Sequence, residues 1–197
     1  MKLFWAPQTR SQRAIWMLEE AGIDYEMERI DLGNPERSDN DEFLGASPMG
    51  KVPAIVDGEI AMSESAAICI YVADRYGAGT LAPAVDSPLR GKFLYWTMYT
   101  PAVVEPAMSE KFNNVESNRQ RSGWGDFDLM IETWDAALRG RDRVLGEQFT
   151  AADVMLGSSA IFLRMFNMLP ETANLDAYAD RCLARPANKR ALEKGTA

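Results

Sequence analysis

The hydropathy pattern of this chain changes character once, across a Gly- and Pro-containing stretch at 78–88, and the two sides follow different periods. On the first side, strand-like and helical runs alternate. Residues 2–6 read as a strand stopped by Pro7, 12–21 as a helix closed by Gly22, and 25–31 as a second strand. Residues 53–56 and 59–62 flank Asp57-Gly58, a pair suited to a tight turn with positive φ, so they form a hairpin. Pro53 must open its strand, because a proline inside would delete a ladder hydrogen bond. A helix over 64–76 follows, and one short helical turn is expected at 41–44. Past the linker every periodic segment is helical: an aromatic-rich run over 89–114 interrupted by Pro101 and Pro106, then 127–138, 150–168, 175–183 and 186–192. The order is βαβ, then ββα, then helices alone, which is an α/β unit followed by an all-α unit.

Composition narrows the chemistry. The chain has 197 residues with a net charge of −8, a balance that argues against a nucleic-acid surface. Residues 1–80 carry 7 basic and 14 acidic side chains, whereas 81–197 carry 14 and 15, which marks two units with different surfaces. The longest unbroken apolar stretch, 66–73, is far short of the roughly 20 residues a bilayer span needs. No apolar leader precedes the first strand, so no membrane partner and a cytoplasmic location are expected. Histidine is absent, which removes Ser-His-Asp triads, Cys-His pairs and imidazole metal ligands, and no metal is expected. Cys69 and Cys182 lie far apart in helical patterns, so a reducing compartment is expected and any thiol chemistry uses a thiol carried by a ligand.

Four local motifs stand in a telling order: Gly50-Lys51-Val52-Pro53-Ala54-Ile55 with Asp57-Gly58; Met62-Ser63-Glu64-Ser65-Ala66-Ala67-Ile68; Phe149-Thr150-Ala151-Ala152-Asp153; and Ala184-Arg185-Pro186-Ala187 with Arg190-Ala191-Leu192. In that order and spacing the chain resembles, along nearly its whole length, the glutathione transferase family, of the bacterial cytosolic type. The resemblance implies a thioredoxin-like βαβ–ββα domain over 1–77, a linker at 78–88 and an all-helical domain over 89–197. It implies a cis Val52–Pro53 bond, with Val52 pairing its backbone to the cysteinyl unit of glutathione. It further assigns Ser65 to the γ-glutamyl carboxylate, Glu64 to the γ-glutamyl ammonium and Lys51 to the glycine carboxylate. A plainer role is open beside each: Ser63 as helix cap with Glu64 favouring the helix dipole, and Lys51 as a solvated surface charge. Thr150 to Asp153 reads as a capping box and carries no catalytic role.

The residue that turns the bound thiol into a thiolate departs from the family pattern. Where relatives place a tyrosine, this chain has Phe4 and Trp5; their serine position falls at Gln8, and the bacterial cysteine position at Arg10. Thr9 and Ser11 remain as hydroxyl donors with Arg10 as an electrostatic stabiliser, and Ser11 can equally be the N-cap of the first helix. By resemblance, an electrophile pocket would draw on Trp5, Tyr95 and Tyr99, aromatic types that suit a small hydrophobic electrophile. Relatives usually carry an aromatic where Asn188 stands. With the sequence ending at Ala197, no additional C-terminal helix is expected to lid the site, and an open cleft is expected. The implied function is transfer of glutathione, as co-substrate, to a hydrophobic electrophile in a detoxification role, by a homodimer in which Met49 is a candidate contact. Two alternatives stay open: glutathione-dependent reduction of disulfides or peroxides, and a non-catalytic partner-binding protein of the same fold.

Overall fold

In the computed structural model, which describes residues 1–34 and 39–196, the chain divides into two compact units. One joins Met1–Leu81 to Arg185–Ala197, and the other is Ala82–Ala184. Residues 35–38 of the polar segment after the second strand, and Ala197, lie outside the described residues.

The first unit runs β1 (Lys2–Trp5), α1 (Ser11–Ala21), β2 (Glu26–Arg29), α2 (Asp41–Ala46), β3 (Ala54–Asp57), β4 (Ile60–Ser63) and α3 (Ser65–Tyr76). Its sheet has the order β2-β1-β3-β4, with β1 and β2 parallel and the other pairs antiparallel. The turn between β3 and β4 needs a positive φ, and Gly58 supplies it at 63°. Gly22 does the same at the end of α1, at φ 64°, with its N–H on the Leu18 carbonyl. Leu3, Phe4 and Ile55 are fully buried, and the Phe4 ring meets Phe43 of α2 at 5.5 Å. Each such side chain contributes about 1.5–3 kcal/mol by leaving water.

The second unit consists of α4 (Arg90–Tyr99), a π-helical turn (Thr100–Val104), α5 (Glu105–Phe112), α6 (Phe127–Ala137), α7 (Ala151–Met165) and α8 (Ala173–Ala184). The aromatic-rich run interrupted by Pro101 and Pro106 is thus three segments. Pro101 has no N–H and its ring collides with the preceding turn, so the ladder widens there and Glu105 donates to the Thr100 carbonyl five residues back. The capping box at α7 is present, with the fully buried Asp153 carboxylate accepting from Thr150 N–H at 3.0 Å and the Tyr178 hydroxyl at 3.0 Å.

The final helix, α9 (Pro186–Lys194), corrects the expected extent of the helical domain, because it belongs to the first unit and packs on α1. Arg185 grips Glu20 through two contacts of 2.6 and 2.7 Å, while Arg190 and Lys194 reach Glu19 at 2.7 and 2.5 Å. Tyr25 donates to Glu19 at 2.8 Å. Burial pushes the Glu19 carboxyl up, but Lys194, Arg190 and Tyr25 outweigh it and hold it below its ordinary value. No helix among the described residues is long and apolar enough to cross a membrane.

Candidate functional site

Strand register brings three segments to one end of the first unit. Trp5 stands opposite Arg29, Phe4 opposite Ala54, and Ala54 opposite Ser63. The residues that follow or precede these partners therefore leave the sheet at the same end: the loop after β1, Val52-Pro53 before β3, and Glu64-Ser65 after β4. A shallow cavity of about 450 Å³ opens there, between Ala6 and Pro7 on one side and the stretch from Arg29 to Gly33 on the other.

The loop after β1 is knotted by its own hydroxyls. Thr9 Oγ1 lies 2.7 Å from the Ala6 carbonyl and 2.9 Å from Ser11 Oγ, and it accepts from Ser11 N–H at 3.1 Å. Ser11 Oγ in turn accepts from Ala6 N–H at 3.3 Å. Ser11 is not the N-cap: it is the first residue of α1, fully buried, and Arg10 holds the cap position with no side-chain hydrogen bond to the helix. Thr9 is half-buried and Arg10 exposed. Gln8 takes a positive φ of 56°, which turns the chain into this loop.

The second segment carries a cis Val52–Pro53 bond, as the resemblance implies. Val52 rests against the cluster of Phe4, Ile30, Phe43, Ala46 and Ala54, so its main chain is fixed from below. Ser47 fixes it from the side, with Oγ donating to the Lys51 carbonyl at 2.7 Å and accepting from Lys51 N–H at 2.9 Å. Sequence reasoning missed Ser47; its signal was a Ser-Pro pair three residues before Gly50, whose φ of 61° completes the turn. The Lys51 side chain is exposed.

The third segment is the amino end of α3. Ser63 does not cap it. The cap position belongs to Glu64, at φ 72° and ψ 116°, with no side-chain hydrogen bond to the helix. The first helical bond runs from Ile68 N–H to the Glu64 carbonyl at 2.9 Å, which leaves the N–H groups of 65–67 without partners in the helix. Glu64 is exposed and Ser65 buried at 8%, and neither side chain has a polar partner among the described residues. A non-glycine residue held at positive φ beside open N–H groups is a recurrent mark of a ligand clamp.

The other expected site residues belong to both units and are described each in its own. Trp5 is buried at 5% exposure in the first unit. In the second unit Tyr95 is 53% exposed and stacks near Trp96 and Tyr99 at 4.9 and 5.7 Å. Tyr99 is core: its hydroxyl donates to the Met130 carbonyl at 3.0 Å, and burial pushes its pKa up to about 12. Neither thiol suits nucleophilic work. Cys182 is buried, and burial pushes Cys69 up to about 12 against the opposing charge of Arg13.

Comparison with known proteins gives a consistent picture. The family model for the glutathione S-transferase N-terminal domain matches residues 9–75. Glutathione S-transferase 3 of Zea mays is 38% identical over 166 residues, covering 78% of this chain and 73% of that protein. The disulfide-bond oxidoreductase YfcG of Escherichia coli K12 is 27% identical over 212 residues, covering 98% and 94%. Among solved structures, a ternary complex of BphK, a bacterial glutathione S-transferase, superposes with a TM-score of 0.84 at 26% identity over the whole of both chains. A sphingomonad glutathione S-transferase complexed with glutathione gives 0.79 at 29% identity, covering 100% of this chain and 99% of that one.

Proposed function

The chain belongs to the glutathione S-transferase family, and on that premise we propose that it binds glutathione at this end of the sheet, stabilises its thiolate and transfers it to a hydrophobic electrophile. The observation that carries the proposal is the uncommitted amino end of α3, brought by strand register to the same sheet end as the cis-proline segment and the β1–α1 loop. The three open N–H groups and the Ser65 hydroxyl suit the γ-glutamyl carboxylate, and Glu64 suits the ammonium beside it. Val52 offers its main chain to the cysteinyl unit, and Lys51 its charge to the glycine carboxylate.

The thiol then lies at the amino end of α1. A thiol of pKa about 8.5 must fall by roughly two units to be mostly ionised at neutral pH, which takes about 2.7 kcal/mol. The α1 dipole supplies part of that, and Arg10 adds a positive charge. Of the two hydroxyls, Thr9 is the one that can turn outward and donate to sulfur, since Ser11 is fully enclosed and serves to hold the loop. The thiolate attacks the electrophilic carbon, the leaving group departs with the bond electrons, and the thiol proton goes to solvent.

Disulfide reduction is the second reading, favoured by the likeness to YfcG and compatible with two successive glutathiones in place of a protein thiol. A homodimer belongs to the same reading, with Met49, 77% exposed, as a contact to probe by sedimentation. The buried thiols suit a reducing cytoplasm. Calorimetric titration of glutathione tests the whole. Binding at or below millimolar, lost in Glu64→Ala and in Ser65→Ala, is the expected result, and no binding by the intact protein refutes it. Turnover of dinitrochlorobenzene against turnover of a glutathione mixed disulfide separates the two chemistries.

A further inference from the structure

The carboxyl end of α9 rests on the second residue of α1. Gly195 closes α9 with its N–H on the Ala191 carbonyl at 2.9 Å, at a φ of −76° that any residue adopts. A Cβ at this position would fall inside the contact radius of Gln12 Oε1, 3.2 Å from Gln12 Cδ and 3.2 Å from the Ala191 carbonyl oxygen, so the end of the Gln12 side chain would have to move. Gln12 is half-buried, and its Nε2 is enclosed without a hydrogen-bond partner among the described residues. An amide left unpaired in that way costs free energy that solvent would relieve, so it stays enclosed only while the packing around it stays closed. On the main-chain side, Gln12 N–H donates to the Thr9 carbonyl at 3.3 Å, so its placement is read directly by the loop whose Thr9 hydroxyl contacts Ala6 and Ser11. The α9 side of the contact is equally fixed, because Glu19 and Glu20, two nearly buried carboxylates of α1, anchor Arg185, Arg190 and Lys194.

We propose that Gln12 and Gly195 are positioning residues, through which the end of α9 sets the conformation of the thiol-activating loop. The part that concerns thiol activation rests on the function proposed above; the part that concerns the loop does not. Gly195→Ala would displace the Gln12 side chain and loosen the Gln12–Thr9 contact. Removing the displaced side chain as well, in Gly195→Ala/Gln12→Ala, would relieve the collision.

The test has two readouts. In the ligand-free protein, amide hydrogen exchange over residues 8–13 should rise about tenfold in Gly195→Ala and return towards the Gln12→Ala level in the double variant. With glutathione bound, the thiolate absorbance titration should move to higher pH in Gly195→Ala by about half a unit or more, with kcat falling and the glutathione affinity held within about threefold. Unchanged exchange in Gly195→Ala, or a double variant as perturbed as Gly195→Ala, overturns the proposal whatever glutathione does. Faster exchange with an unmoved thiol titration overturns its catalytic half. Absence of glutathione binding by the wild-type protein refutes the transferase reading instead, and the exchange result then decides the positioning role alone.

Discussion

Two helix amino ends in this molecule solve the same problem in opposite ways. At α7 the chain closes on itself: Asp153 accepts from Thr150 N–H, from Val144 N–H and from the Tyr178 hydroxyl, and the whole arrangement is buried. At α3 the cap residue, Glu64, makes no side-chain hydrogen bond to the helix, and it is held at a positive φ with its side chain exposed. Both ends have unpaired N–H groups by the geometry of a helix. One spends a buried carboxylate on them, and at the other the proposed function assigns them to the carboxylate of a ligand. A helix end that is both strained and uncapped points to a binding site, whereas a capped and enclosed one points to folding.

Substitutions at either helix end should act on that end alone. The largest effect is expected at α7. Asp153→Ala should cost about 3 kcal/mol in chemical denaturation by orphaning buried donors, while glutathione affinity stays within about twofold. At α3 the pattern should invert, with Ser65→Ala and Glu64→Ala weakening glutathione about tenfold or more by calorimetry at little change in melting temperature. An equal stability loss at both ends would mean that α3 is a structural terminus after all.

Acid titration sharpens the contrast through two buried carboxylates. Burial pushes Asp153 up to about 6 despite its hydrogen bonds, so the folded state holds its proton more tightly than the unfolded one. The stability it contributes is full below about pH 4 and is lost as pH rises through about 6. Glu19 is held below its ordinary value, so its contribution is present above about pH 4.5 and lost as pH falls through the lowered value. Denaturation midpoints followed from pH 3 to 8 should therefore lose the fall between about 4 and 6 in Asp153→Asn, and lose part of the acid-side rise in Glu19→Gln. The smallest effect tests the strain. Glu64→Gly should gain roughly 1 kcal/mol by relieving the positive φ, yet still lose glutathione affinity.

Much of this was legible in the sequence wherever the determinant is local. Asp57-Gly58 and Gly22 announce positive φ positions, Pro53 announces a strand start, and the Thr150–Asp153 spacing announces a capping box. The determinants that went unread are those that depend on distant partners. Residues 186–192 read as a short helix within a family motif, but nothing local reveals that Arg190 and Lys194 answer Glu19 some 170 positions earlier. Ser11 looks like an N-cap by its position, and only the fold shows its hydroxyl turned back to Ala6. Tyr99 belongs to a promising aromatic stripe, and its hydrogen bond to Met130 is what removes it to the core. Glu64 carries no sign of its backbone conformation at all, since an acidic residue at a helix start is ordinary.

The return of α9 to the first unit also fixes an order of events during synthesis. The strands and α1 are made before Ala82–Ala184, yet Glu19 and Glu20 receive their arginine and lysine partners only after that stretch has been made. Until then the carboxylates of Glu19 and Glu20 have, among the described residues, only neutral donors, Tyr25 and Trp16, and Gln12 lacks its contact with Gly195. The contiguous helical unit can complete itself ahead of the unit it interrupts, so the stretch made earlier is the one that finishes later.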